Sequence, residues 1–119
     1  MLQLEHLVDL QDSDRLRLGS SDDLQIYHDG SNSYISEGGT GVLKVSSNRT
    51  EILSGSGEDC AKFQGDAAVE LYYDNSRKLE TTGGGINVTG VATATSFSGD
   101  GSNLTNVPTG FSPINFVLS

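Results

Sequence analysis

The stretch LQIYHDGSNSYISE, residues 24–37, decides how this chain folds. Leu24, Ile26 and His28 alternate with Gln25 and Tyr27, the period of two that marks a half-buried strand. Asp29-Gly30 follows. An Asp-Gly step between alternating segments favours a tight hairpin, because glycine enters positive φ without steric cost and aspartate bonds back to its own backbone. Ser33-Tyr34-Ile35-Ser36 then restores strand-forming residues before Gly38 and Gly39 end the second arm. Neither arm carries a chemical apparatus.

Upstream, Leu16 and Leu18 alternate with Arg15 and Arg17, and the turn cluster GSSDD at residues 19–23 leads back into Leu24. Residues 15–36 therefore read as a three-stranded meander with one apolar face, and such a face must be covered by something. Downstream, Val42-Leu43-Lys44-Val45 and Thr50-Glu51-Ile52-Leu53 flank a polar turn and are expected to form another hairpin. The SGSGED loop at residues 54–59 lacks the GK[ST] ending of a phosphate cradle and precedes the strand-like Cys60-Ala61-Lys62-Phe63, so it reads as a plain turn.

The opening stretch then returns. VELYYDNSRKLETTGG (residues 69–84) laid on LQIYHDGSNSYISEGG (residues 24–39) matches Tyr72 to Tyr27, Asp74 to Asp29, Ser76 to Ser31 and Gly83 to Gly38, each 45 residues apart. Asn75 stands for Gly30, and asparagine is the next-best residue for positive φ. Two copies of one β unit, at a period in this range, point to a repeating, elongated architecture.

The flanks differ. In residues 1–13, Leu4, Leu7 and Val8 suit a helix face while Leu2 with Leu4, or Val8 with Leu10, suits a strand. Beyond Gly85, Ile86-Asn87-Val88 reads as a brief strand, and residues 91–97, VATATSF, alternate small and hydroxylated side chains suited to narrow strands packed around an axis. The apolar run Ile114-Asn115-Phe116-Val117-Leu118 is expected to dock on a neighbour or lead to a further domain. The resulting division is an N-terminal attachment or trimerisation segment (1–13), a first β unit (14–53), a second (54–90) and a C-terminal segment (91–119).

Composition makes the need for partners explicit. Of 119 residues only 34% are apolar, there is no Trp, and 15 glycines raise the entropy cost of ordering the chain. A single copy can build only a thin core, so the missing burial is expected from other copies. The formal charge of −9, from 16 acidic and 7 basic residues, repels phosphate backbones and anionic membrane surfaces, so neither nucleic-acid binding nor membrane insertion is expected. Acidic side chains on a strand-rich surface also restrain edge-to-edge aggregation.

Catalytic and metal-binding groups are sparse. His6 and His28 are the two histidines, His28 reads as an ordinary strand histidine, and Cys60 has no second cysteine to pair with. The acidic turns Asp9/Asp12/Asp14, Asp22-Asp23 and Glu58-Asp59 lack the ordered calcium-loop pattern and read as solvated turns. The three sequons at Asn48, Asn87 and Asn103 fit chance in a Ser/Thr/Asn-rich chain. Neither enzymatic activity nor a cofactor is expected.

The segments LGSSDDLQIYHDGSNSYISEGGTG (18–41), VELYYDNSRKLETTGGGINVTG (69–90) and ATATSFSGDGSNLTNV (92–107) resemble repeated segments in tail-fibre-like structural proteins of tailed bacteriophages, especially marine phages of cyanobacteria. The resemblance covers residues 14–107, and its most specific motifs are IYHDGSNS and LYYDNS. It implies a virion protein, assembled in the host cytoplasm, whose three copies wrap or stack around a common axis in a homotrimeric fibre. Its partners would be other virion proteins at the tail, baseplate or capsid, with host surface polysaccharide as a further partner.

The chain is thus expected to be all-β, elongated and built of hairpin or meander units, serving as a shaft or spacer in host attachment. Leu16, Leu18, Leu24, Ile26, Val69 and Leu71 are the expected oligomer core. Tyr27, Tyr34, Tyr72 and Tyr73 are the aromatics available to a host glycan. The alternatives are a decoration or adaptor protein bound to capsid or baseplate, and a fragment of a polysaccharide-degrading tailspike.

Overall fold

The computed structural model describes residues 6–108. Among them there are eight strands and no helix: β1 (Arg15–Leu18), β2 (Leu24–His28), β3 (Ser33–Glu37), β4 (Arg49–Leu53), β5 (Asp59–Gln64), β6 (Val69–Tyr73), β7 (Ser76–Thr82) and β8 (Gly85–Val88). They form two antiparallel meanders, β1-β2-β3 and β4-β5-β6-β7-β8, with every strand beside its neighbours in sequence. The molecule is elongated, 90 × 33 × 31 Å, with a radius of gyration of 23.7 Å. A compact chain of this length would have about 13 Å.

The first hairpin turns one residue later than the Asp29-Gly30 step suggests. Asp29 N–H donates to the Asn32 carbonyl at 3.0 Å, so Gly30-Ser31 is the centre, and Gly30 supplies the positive φ of 96°. The Asp29 side chain completes the turn: its Oδ1 accepts from Ser31 N–H at 2.9 Å and Asn32 N–H at 2.7 Å. In the second hairpin Asp74 and Asn75 themselves hold positive φ, 47° and 57°, and Tyr73↔Ser76 closes the ladder. Two left-handed residues in succession match the twist of the flanking strands.

The registers of the two sheets are related. Each partner number rises by 45 from Leu16↔Ile26 to Ala61↔Leu71, and again from Leu18↔Leu24 to Phe63↔Val69. After the turn the correspondence slips by one, Ile26↔Ile35 against Leu71↔Leu79. The slip follows from the earlier turn centre and from a bulge at Leu71/Tyr72.

Three expectations are corrected. Residues 42–45 form no strand, and β4 pairs forward with β5, not back across residues 46–48. Alternating apolar residues identify a strand former but not its partner. Here the SGSGED loop closes the β4–β5 hairpin, with Ser54 N–H donating to the Glu58 carbonyl at 2.9 Å. The strand grouped by sequence with the first unit therefore lies in the second sheet. Residues 91–97 carry no strand, and residues 6–13 form neither helix nor strand. The apolar run at residues 114–118, and Leu2 and Leu4, lie outside the described residues.

Candidate interaction surface

Antiparallel register places directly opposed residues on the same face, so the rows of each sheet can be read across its strands. In the first sheet one face carries the rows Leu16–Ile26–Ile35 and Leu18–Leu24–Glu37. In the second, the row Ile52–Ala61–Leu71–Leu79–Val88 crosses all five strands. Beside it run Thr50–Phe63–Val69 and Thr81–Ile86. Val69 N–H donates to Thr81 Oγ1 at 2.9 Å, which ties this second row across the β6–β7 gap.

These faces are uncovered. No hydrophobic residue among those described is buried: Leu16 is 48% exposed, Ile35 64%, Leu71 44% and Ile52 52%. Among the six residues singled out by sequence, Leu16, Leu18, Leu24 and Ile26 come together on the first sheet, and Val69 and Leu71 on the second. Sequence reasoning omitted Ile35, Ile52, Phe63, Leu79, Ile86 and Val88 from that core. They emerge only once pairing is known, because single apolar residues among polar neighbours, as Leu79 is in SRKLETT, give no period to read.

The opposite faces are engaged within the chain. The Arg15 guanidinium lies 3.7 Å from the Tyr27 ring centroid, and Tyr27 stacks on Tyr34 at 4.7 Å and 15°. Tyr34 Oη donates to Asp29 Oδ2 at 2.9 Å. The backbone amides of Asn32 and Ser31, with that hydroxyl, hold the Asp29 carboxyl below the usual carboxylate range. On the second sheet Lys62 Nζ sits 5.0 Å from the Tyr72 centroid and 2.6 Å from Asp59 Oδ2. Tyr72 Oη donates to Glu70, and Arg77 reaches both Glu70 (3.0 Å) and Glu80 (2.8 Å). These partners push the Glu70 carboxyl down, Tyr72 first and Arg77 after it, while Asp59 raises the Lys62 ammonium.

The four tyrosines are therefore split between the sheets and make no single cluster. Tyr27, Tyr34 and Tyr72 are committed to contacts within their own sheet, whereas Tyr73 is 75% exposed. His28 Nδ1 lies 3.0 Å from Ser33 Oγ, and Cys60 is exposed as a free thiol. Among the described residues no group of three or more His, Cys, Asp or Glu side chains is placed to hold a metal ion. No helix among them is long and apolar enough to cross a membrane. Comparisons with protein families, with curated proteins and with solved structures give no match to this chain.

Proposed function

We propose that this chain is a shaft or spacer module of a viral tail fibre, a homotrimer in which the apolar sheet faces are covered by neighbouring copies. The observation that carries this reading is the pair of bare apolar faces. The first sheet has built its polar face from Arg15 and a stacked tyrosine pair and the second from ion pairs at Arg77 and Lys62, while the apolar side chains of the other faces are left unburied. Burying one Leu or Ile side chain stabilises by about 1.5–3 kcal/mol, so two rows of such residues are a strong drive to associate.

The 45-residue relation between the β1–β2 and β5–β6 ladders supports a repeated unit, as a shaft requires. Threefold symmetry and the virion come from the resemblance of residues 14–107 to tail-fibre-like phage proteins. The role is mechanical. A shaft transmits the position of a tip, and the engagement of three of the four tyrosines within their own sheets suits a shaft better than a sugar-binding end.

Labelling the chain in intact particles and imaging them by cryo-electron microscopy tests the role. The reading expects label along a projecting appendage. Label spread over the shell would instead favour a decoration protein, and its absence from the particle would remove the virion assignment.

A further inference from the structure

The two sheets differ at one edge, and the difference leaves both a strand former and a strand edge without a partner. In the second sheet, β7 turns through Gly83-Gly84 and receives β8 on its outer edge, beginning at Thr82↔Gly85. In the first, β3 is the corresponding strand, since Ile35 and Leu79 hold the same place opposite Ile26 and Leu71. Its outer edge is the end of the sheet.

The chain does not fold back there. Gly38 N–H donates to the Asp23 carbonyl at 2.7 Å, which carries the β2–β3 ladder one residue beyond β3. Gly39 N–H is taken by Glu37 Oε1 at 2.6 Å. Counting on from Ile35 as β8 follows Leu79, the missing strand falls on residues 41–44. Those residues overlap Val42-Leu43-Lys44-Val45, strand formers that pair with no strand among the described residues and expose Val42 by 71% and Val45 by 70%.

We propose that residues 42–45 of one copy add to the outer edge of β3 in a neighbouring copy, giving the first sheet the strand that β8 gives the second. An open edge is a template for exactly such addition, with main-chain hydrogen bonds supplying affinity and alternate side chains supplying register. The occupant is a second copy because the chain itself holds the unused strand, and exchange of an identical element is a low-cost route to association. In that register Lys44 takes the place of Val88 and lies opposite Ile35, and Val42 takes the place of Ile86 opposite Glu37. This inference rests on the self-assembly reading but concerns a different surface, a strand edge and not a sheet face.

Disulfide trapping tests it in the full chain, with Cys60→Ser as background. Ile35→Cys and Lys44→Cys are placed in separate copies, mixed, allowed to assemble and oxidised. The two positions are directly opposed in the antiparallel register taken from β7–β8, within bridging distance. The expected result is a linked dimer in the mixture beyond what either variant gives alone, together with hydrogen-exchange protection of the residue 42–45 amides in the unsubstituted assembly. Freely exchanging amides at residues 42–45 in a protein that sedimentation shows to be oligomeric would overturn the strand addition and leave assembly standing. A monomer in sedimentation would overturn both.

Discussion

Asp29 closes its hairpin with a side chain. Three donors converge on its carboxylate, two of them backbone amides, and all three favour the charged form. Because the folded-state pKa lies below the unfolded one, the contribution is fully present above the ordinary carboxylate pKa of about 4 and is lost as pH falls further. Thermal midpoints measured at fixed protein concentration should therefore drop below about pH 4, and Asp29→Asn should flatten that part of the profile while keeping an acceptor for the two amides. An unchanged acid limb in Asp29→Asn would show that the turn carboxylate contributes little. Asn75 makes a second, pH-independent case. Its φ of 57° is tolerated by Asn and Gly but costs a β-branched residue about 1–2 kcal/mol, so chemical denaturation should find Asn75→Val destabilised by that amount and Asn75→Gly close to the parent. Both residues were legible in the sequence as turn formers. The bonding of Asp29 back to its own backbone was legible too, whereas the turn centre at Gly30-Ser31 was not, because an Asp-Gly step fits either placement.

Within the second sheet, two like charges face one another: Glu70 stands directly opposite Glu80 on β6 and β7. Arg77 offsets their repulsion by pairing with both, and Tyr72 donates to the first. Arg77→Ala should lower the thermal midpoint, and added salt or a second change, Glu80→Gln, should recover part of the loss, since each weakens the repulsion left behind. If salt and Glu80→Gln have no effect in the Arg77→Ala background, the pair is already screened by solvent. At this scale the sequence was informative wherever alternation was unbroken, as in RLRL and LQIYH, and misleading where it was not tied to a partner. VLKV is as rich in strand-forming residues as RTEIL, yet only RTEIL is paired. Periodicity reports which residues suit a strand, whereas pairing depends on the turn that brings a second strand alongside. The SGSGED loop does that for β4, and nothing among the described residues does it for residues 42–45.

The whole molecule extends 90 Å, and its eight strands leave no hydrophobic residue buried among those described. Local hairpins explain why the strands form, and cross-strand pairs such as Tyr27–Tyr34 explain their polar faces. They do not supply a core. The thin composition foretold this, since 34% apolar residues with 15 glycines leave little to bury. The identity of the rows was hidden until register placed Ile52, Ala61, Leu71, Leu79 and Val88 in line. Replacing Leu71 by Asp at the centre of that row should dissolve the assembly, and Leu71→Ala should weaken it by about 2 kcal/mol per copy, read as a higher concentration at the association midpoint. The same substitutions made on the polar face, at Gln25 for example, should leave association unchanged.

Mass and sheet content measured together test trimeric assembly most directly. Sedimentation with circular dichroism across a dilution series should give three times the 12.6 kDa of one chain, with the β signal fading as the trimer dissociates. A chain that sediments as a monomer and keeps its full β signal at the lowest concentration would contradict it.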